Sequence, residues 1–181
     1  MEPEADVHSF LFADLVGYTA LTETLGNDAA ADLAVDFADE ARMLAAEHGA
    51  EFIKAMGDAV MVHGCCAAQL VRLAIRLAHG RNATSRRPPV RIGIHTGPAV
   101  ARDGDWYGTA VNVAARLTDC ACGGEVLITG STGRRVSRDV ACELVDQGWR
   151  RLRDVVAPVH VFEAQLPSAH ASQPAMAVNA A

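Results

Sequence analysis

The sequence predicts an α/β or α+β sandwich in which helices cover a mixed sheet. Two observations carry that reading: short strand-like runs alternate with longer segments of helical period, and the 181 residues are 50% hydrophobic. That length and composition fit one globular unit able to bury a sizeable core, with fraying expected only at the ends. Strand order stays open at this level.

Val7 to Leu15 reads as a buried strand that Gly17 ends, followed by Thr19 and Thr22, either of which suits a helical cap. From Asp28 the pattern turns helical, with Ala30, Leu33, Ala34, Phe37, Ala41, Leu44 and Ala45 on one stripe and Gly49 as the stop. Glu51 to Met56 and Ala59 to His63 read as a hairpin turning at Gly57-Asp58. Strict alternation would put Phe52, Lys54 and Met56 on one face. Cys66 to His79 is a second helix, packed through Leu70, Leu73, Ala74 and Leu77, and Gly80 to Arg87 an exposed loop.

Val90 to His95 alternates as a strand, which Gly97-Pro98 interrupts. Arg102 to Gly108 is a polar, glycine-punctuated connection whose Trp106 and Tyr107 read as loop packing. Thr109 to Cys120 is helical, Glu125 to Thr129 and Val159 to Phe162 are strands, and Ser131 to Arg138 is a short Arg-rich helix candidate. Residues 1–6 and 164–181 are read as tails around one domain over 7–163.

Lys+Arg 16 against Asp+Glu 22 gives a formal charge of −6, so sequence-independent binding to nucleic acid is not expected. No apolar run approaches the roughly 20 residues that cross a bilayer. The start Met1-Glu2-Pro3-Glu4 is acidic rather than signal-like, and cytoplasm is the simplest expectation. Five cysteines are an odd, scattered set that resembles small apolar fillers more than a disulfide framework. Cys120-Ala121-Cys122 lacks a second ligand pair for zinc.

Three constellations carry chemistry. Asp14 and Asp58 each close a strand-like run and, brought together, would offer a hard-oxygen site for magnesium or manganese. The plain alternative is two turn-capping aspartates. Lys54, the one lysine of the chain, and Asp105 supply a donor and an acceptor able to read an adenine edge, or else a salt bridge that supports the fold. Asn112 and Arg116 lie one helical turn apart, suited to orienting a sugar and meeting phosphoryl charge, or else to an ordinary surface. His63 reads as structural and His95 receives no catalytic role.

Phe12-Ala13-Asp14-Leu15-Val16-Gly17-Tyr18-Thr19, Lys54-Ala55-Met56-Gly57-Asp58, Arg91-Ile92-Gly93-Ile94-His95-Thr96-Gly97 and Val111-Asn112-Val113-Ala114-Ala115-Arg116-Leu117 together resemble the class III adenylate/guanylate cyclase catalytic domain. The resemblance runs from about Val7 through Phe162 and implies an α+β, ferredoxin-like core with a mixed, mainly antiparallel sheet covered by helices. It implies a head-to-tail homodimer with composite sites. Asp14 and Asp58, with the backbone carbonyl of Leu15, would hold two divalent cations per site, Mg²⁺ or Mn²⁺. Lys54 and Asp105 would select adenine, Asn112 would orient ribose and Arg116 would stabilise the transition state.

The implied reaction converts ATP to 3′,5′-cyclic AMP and pyrophosphate. Guanylate cyclisation and a catalytically inactive regulatory dimer are the alternatives, but guanine-selective members carry a glutamate and typically a cysteine where Lys54 and Asp105 stand. A regulatory domain outside these residues is a further implied partner. The Val100 to Trp106 connection is short for the family, which implies a reduced interface arm, and Arg151 or Arg153 would replace the family's phosphate-contacting lysine.

Overall fold

Leu11, Ala13 and Leu15 point to one side of the first strand while Phe10, Phe12 and Asp14 point to the other, and this alternation sets the two layers of the molecule. The computed structural model describes residues 7–80, 87–136 and 140–167. The elements in order are β1 (Val7–Leu15), α1 (Tyr18–Leu25), α2 (Asn27–Glu47), β2 (Glu51–Met56), β3 (Ala59–Gly64), α3 (Ala67–His79) and β4 (Val90–Pro98). They continue with β5 (Val100–Arg102), β6 (Asp105–Tyr107), α4 (Thr109–Asp119), β7 (Val126–Thr129), α5 (Gly130–Gly133), β8 (Glu143–Arg150) and β9 (Val159–Gln165).

Seven strands form one sheet in the order β2-β3-β1-β4-β7-β9-β8. Only β4 and β7 run parallel, so the sheet is mixed and mainly antiparallel as expected. The β1-helix-β2 and β3-α3-β4 crossovers each step over one strand, which is the ferredoxin-like arrangement. β5 and β6 form a separate hairpin.

On one face of the sheet α2 and α3 bury Phe37, Leu44, Leu70, Leu73 and Leu77 against β1, β3, β4 and β7. Each such side chain contributes about 1.5–3 kcal/mol relative to exposure. The other face is covered by α4, whose Ala110 and Ala114 meet Phe10, Phe12 and Met61, while Val113 and Leu117 meet Leu127 and Val161. The seat of α4 is Gly93: a Cβ there would lie 2.5 Å from the Thr118 backbone nitrogen and 2.8 Å from the Ala114 carbonyl. Thr118 Oγ1 donates across the same contact to the Phe12 carbonyl at 3.2 Å. Small residues on both sides thus bring a helix backbone down onto the sheet.

Several expectations change. A β-bulge between Phe52 and Lys54 breaks the alternation: Phe52 pairs with Val62 toward α2 and α3, whereas Lys54 pairs with Met61 on the α4 side. Phe52 and Lys54 therefore occupy opposite faces, and of the expected trio Met56 alone stays on the face of Lys54. α1 is a helix of its own; neither Thr19 nor Thr22 caps it, and Gly17 stands at its start with φ 77°. β4 continues through Gly97-Pro98, since its pairing with β1 extends to Val7. The polar connection after β4 contains the β5/β6 hairpin, and β8 is an additional strand. β9 extends to Gln165, beyond the expected domain end, and α5 is confined to Gly130–Gly133. Residues 137 and 138 of the predicted Arg-rich helix, residue 139, residues 81–86 of the predicted loop, the tail 1–6 and residues 168–181 lie outside the described residues. Among the described residues no helix is long and apolar enough to cross a membrane.

Gly93→Ala should destabilise the domain by about 3 kcal/mol, the upper end of overpacking costs, because the opposing atoms are backbone. Urea unfolding checks this; a midpoint equal to wild type would show that α4 does not depend on this close approach.

Candidate active site

Asp14 leaves the end of β1 on the α4 face, flanked laterally by Ala59 of β3 and Arg91 of β4. Arg91 closes on it with two donors, Nε at 2.8 Å and Nη2, both to Oδ2. Asp58 sits at the β2–β3 turn next to Gly57, whose φ of 67° suits glycine. Its backbone carbonyl accepts the Leu15 N–H at 3.2 Å, which ties the turn to the end of β1. The Asp58 carboxyl is pushed above the usual range, first by burial and also by the negative charge of Asp14 and a hydrogen bond to it. Its backbone hydrogen bond and the Arg91 charge act the other way. A carboxyl held back from ionising beside a second carboxylate marks a place where positive charge is favoured. Arg91 supplies some of that charge, a contact sequence reasoning missed because it depends on lateral strand pairing. A recess of about 300 Å³ opens beside Asp14, with Met56 and Ala59 on one side and Ala115, Thr118 and Asp119 of α4 on the other.

Lys54 and Asp105, 51 positions apart, meet in a half-buried ion pair between β2 and β6. The Lys54 bond holds the Asp105 carboxyl below its ordinary range, and the Trp106 N–H, donated to Oδ1 at 2.9 Å, acts in the same direction. Trp106 packs with Phe10 and Met61 as expected, its ring stacked on His63. Tyr107 does not pack as expected: it is 56% exposed and, with Val100, lines a recess of about 470 Å³ along the hairpin.

Asn112, exposed, and Arg116, half-buried, lie one turn apart on the same side of α4. Arg116 reaches Asp119 at 3.6 Å and Asp154 at 3.5 Å, and Arg153 approaches the same Asp154 oxygen at 3.6 Å. Among the described residues no hydrogen bond or ion pair joins Arg116 to Asp14, Asp58, Lys54 or Asp105. Within one chain the six residues form three separate groups. Cys120 and Cys122 are exposed and free.

These features meet a clear pattern of similarity. The sequence profile of the adenylate and guanylate cyclase catalytic domain matches residues 1–154, and the chain belongs to that family. It is 37% identical over 165 residues to a pH-sensitive adenylate cyclase of Mycobacterium tuberculosis, covering 88% of this chain and 41% of that protein. It is 35% identical over 127 residues to an adenylate cyclase of Streptomyces griseus, covering 70% of this chain and 32% of that protein. The chain thus spans well under half the length of these relatives. Among solved structures, the adenylyl cyclase CyaB of P. aeruginosa superposes with a TM-score of 0.75 at 25% identity, over 93% of this chain and 98% of that one. An adenylate/guanylate cyclase/hydrolase of Silicibacter pomeroyi gives 0.74 at 28% identity, over 92% of this chain and all of that one.

His95 points from β4 into a hydroxyl cluster, with Nδ1 2.8 Å from Thr129 Oγ1 and 3.3 Å from Ser131 Oγ. Burial lowers its pKa from 6.5 to about 4. Folding therefore favours the neutral ring: its contribution is complete above pH 6.5 and is lost as pH falls toward 4. By pH 5 the loss from this group is about 2 kcal/mol. Chemical unfolding at pH 7.5 and pH 5 should show His95→Gln losing less stability than wild type by about that amount. Equal losses would show that His95 is not the group that titrates.

Proposed function

We propose that the chain is an adenylate cyclase catalytic domain, acting as a head-to-tail homodimer that converts ATP to 3′,5′-cyclic AMP and pyrophosphate. The observation that carries the choice of ATP is the Lys54–Asp105 pair, a donor and an acceptor already oriented together against an aromatic wall. The names of the Mycobacterium and Streptomyces relatives support the same reading. The catalytic unit spans Val7 to the end of β9 at Gln165, and ATP as substrate favours the cytoplasm.

The donor set fits divalent cations. Asp14 and Asp58 are hard-oxygen ligands; burial first, and the Asp14 charge after it, raise the Asp58 pKa, and a cation would offset both. Asp14, Asp58 and the Leu15 carbonyl would hold two Mg²⁺ or Mn²⁺ ions, which when bound supply Lewis acidity to the 3′-hydroxyl and the pyrophosphate oxygens. Arg91, already against Asp14, stands where it can exchange the carboxylate for a phosphate oxygen.

Lys54 donates to the adenine ring nitrogen and Asp105 accepts from its exocyclic amine. Asn112 orients the ribose so that the 3′-oxygen lines up with the α-phosphorus. The 3′-O–P bond forms, the bond from that phosphorus to the pyrophosphate oxygen breaks, and the hydroxyl proton passes to water. Arg116 meets the charge that develops on the α-phosphoryl oxygens. No protein nucleophile is required. A homodimer brings the aspartates of one protomer to the other four residues of its partner, and the three unconnected groups within one chain accord with that division.

With Mg²⁺ or Mn²⁺, purified protein should turn over ATP in preference to GTP, yielding equal cyclic nucleotide and pyrophosphate, with specific activity rising with protein concentration. Lys54→Ala should lower activity and reduce the ATP-to-GTP ratio of kcat/KM by about 10-fold or more. A Lys54→Ala enzyme that keeps the wild-type ratio would remove the base-reading role.

A further inference from the structure

On the α4 face of the sheet, at the end of β1 where the chain enters the fold, two imidazoles and a thiol converge. β1 and β3 pair antiparallel with Ser9 opposite Gly64 and Phe10 opposite His63. His8, two positions before Phe10, therefore shares a face with His63, and Cys65 directly follows the end of β3 at Gly64. Their ligand atoms lie within 4.8 Å of one another, which no other trio of His, Cys, Asp or Glu achieves among the described residues. His8 Nδ1 and His63 Nε2 face each other at 3.0 Å, an arrangement of two nitrogens that requires one proton between them.

We propose that His8, His63 and Cys65 bind a zinc-class transition-metal ion. Imidazole nitrogen and thiolate sulfur suit Zn²⁺ or Co²⁺ and are poor ligands for Mg²⁺, so this site is chemically distinct from the hard-oxygen pair Asp14 and Asp58. Binding replaces the proton between the two imidazoles and displaces the thiol proton of Cys65.

The support around the ligands fits that use. His63 turns Nε2 to the site and its other nitrogen, Nδ1, to Glu51 Oε2 at 3.3 Å, and a carboxylate behind a ligating histidine fixes its tautomer and raises its basicity. Trp106 walls the site, its ring 4.2 Å from His63 and 4.3 Å from His8 between centroids, and Phe10 closes the apolar side. Cys65 stands at the exposed edge, which gives an ion its entry path and leaves a fourth coordination position for water. Trp106 also adjoins Asp105 in the chain, and the Asp105 carboxylate accepts the backbone N–H of Trp106.

The test is a Co²⁺ titration of the full chain under reducing conditions, in a Cys120→Ser/Cys122→Ser background that removes the other close thiol pair. The expected result is one equivalent of Co²⁺ bound, with tetrahedral d–d bands and a thiolate-to-cobalt charge-transfer band, displaced by Zn²⁺ and unaffected by excess Mg²⁺. Cys65→Ser should abolish the charge-transfer band. Glu51→Gln should keep the band but weaken binding about 10-fold, the range set by losing a carboxylate behind a ligating histidine. With Trp149→Phe, Co²⁺ should quench the remaining fluorescence, that of Trp106. Absence of the charge-transfer band at stoichiometric Co²⁺, or its survival in Cys65→Ser, would overturn the assignment. Circular dichroism confirms that each variant is folded, so that loss of the band reports ligation.

Discussion

The domain depends on one close approach, the backbone of α4 lying on Gly93 of β4. A helix carrying larger residues at Ala110 and Ala114, or a strand with any side chain at Gly93, would sit farther from the sheet. Here the helix backbone is in van der Waals contact with the sheet, and Thr118 bridges it to the Phe12 carbonyl on β1. Phe12 precedes Asp14 by two positions on the same face, so the seat that holds α4 also fixes Asn112 and Arg116 relative to the carboxylates. Packing and chemistry share one contact: the alanines that let the helix descend are interleaved with the polar residues that face outward.

Electrostatics divides the face beneath that helix into three compensated groups. Asp14 is answered by Arg91, Asp105 by Lys54 and Arg116 by Asp119 and Asp154. Asp58 is the exception, half-buried beside a second carboxylate with its own acidity weakened. Solvent exposure keeps the Arg116 pairs weak, at most about 1 kcal/mol, so a phosphoryl group could displace them readily. The Lys54–Asp105 pair is better ordered, because Trp106 anchors the aspartate from a second direction. A ligand's base would meet a wall already arranged, while its phosphates would meet side chains free to exchange partners.

Much of this was legible in the sequence, and the gaps have physical causes. The stripes of α2 and α3 and the apolar run of β1 are long enough for periodicity to speak, and the cyclase blocks hold five of the six proposed site residues, with Asp105 lying between the third and fourth. Periodicity failed at Phe52, Lys54 and Met56, where a regular spelling hides a bulge that turns Phe52 to the opposite face. It also missed β5, β6 and β8: the first two are three residues each, and β8 is bent at Gly148 with Trp149 exposed. Arg91 against Asp14 and His8 against His63 lie 77 and 55 positions apart. Such contacts follow only once strand order is known, which local pattern does not give.

The central claim is that each catalytic site draws its aspartates from one protomer and Arg116 from the other. Mixing Asp58→Ala with Arg116→Ala chains, each inactive alone, tests it most directly. Heterodimers would contain one intact site and one doubly damaged site, so cyclase activity should return to about a quarter of wild type at equal mixing. Failure of activity to return, with subunit exchange demonstrated in the same sample, would contradict the shared site.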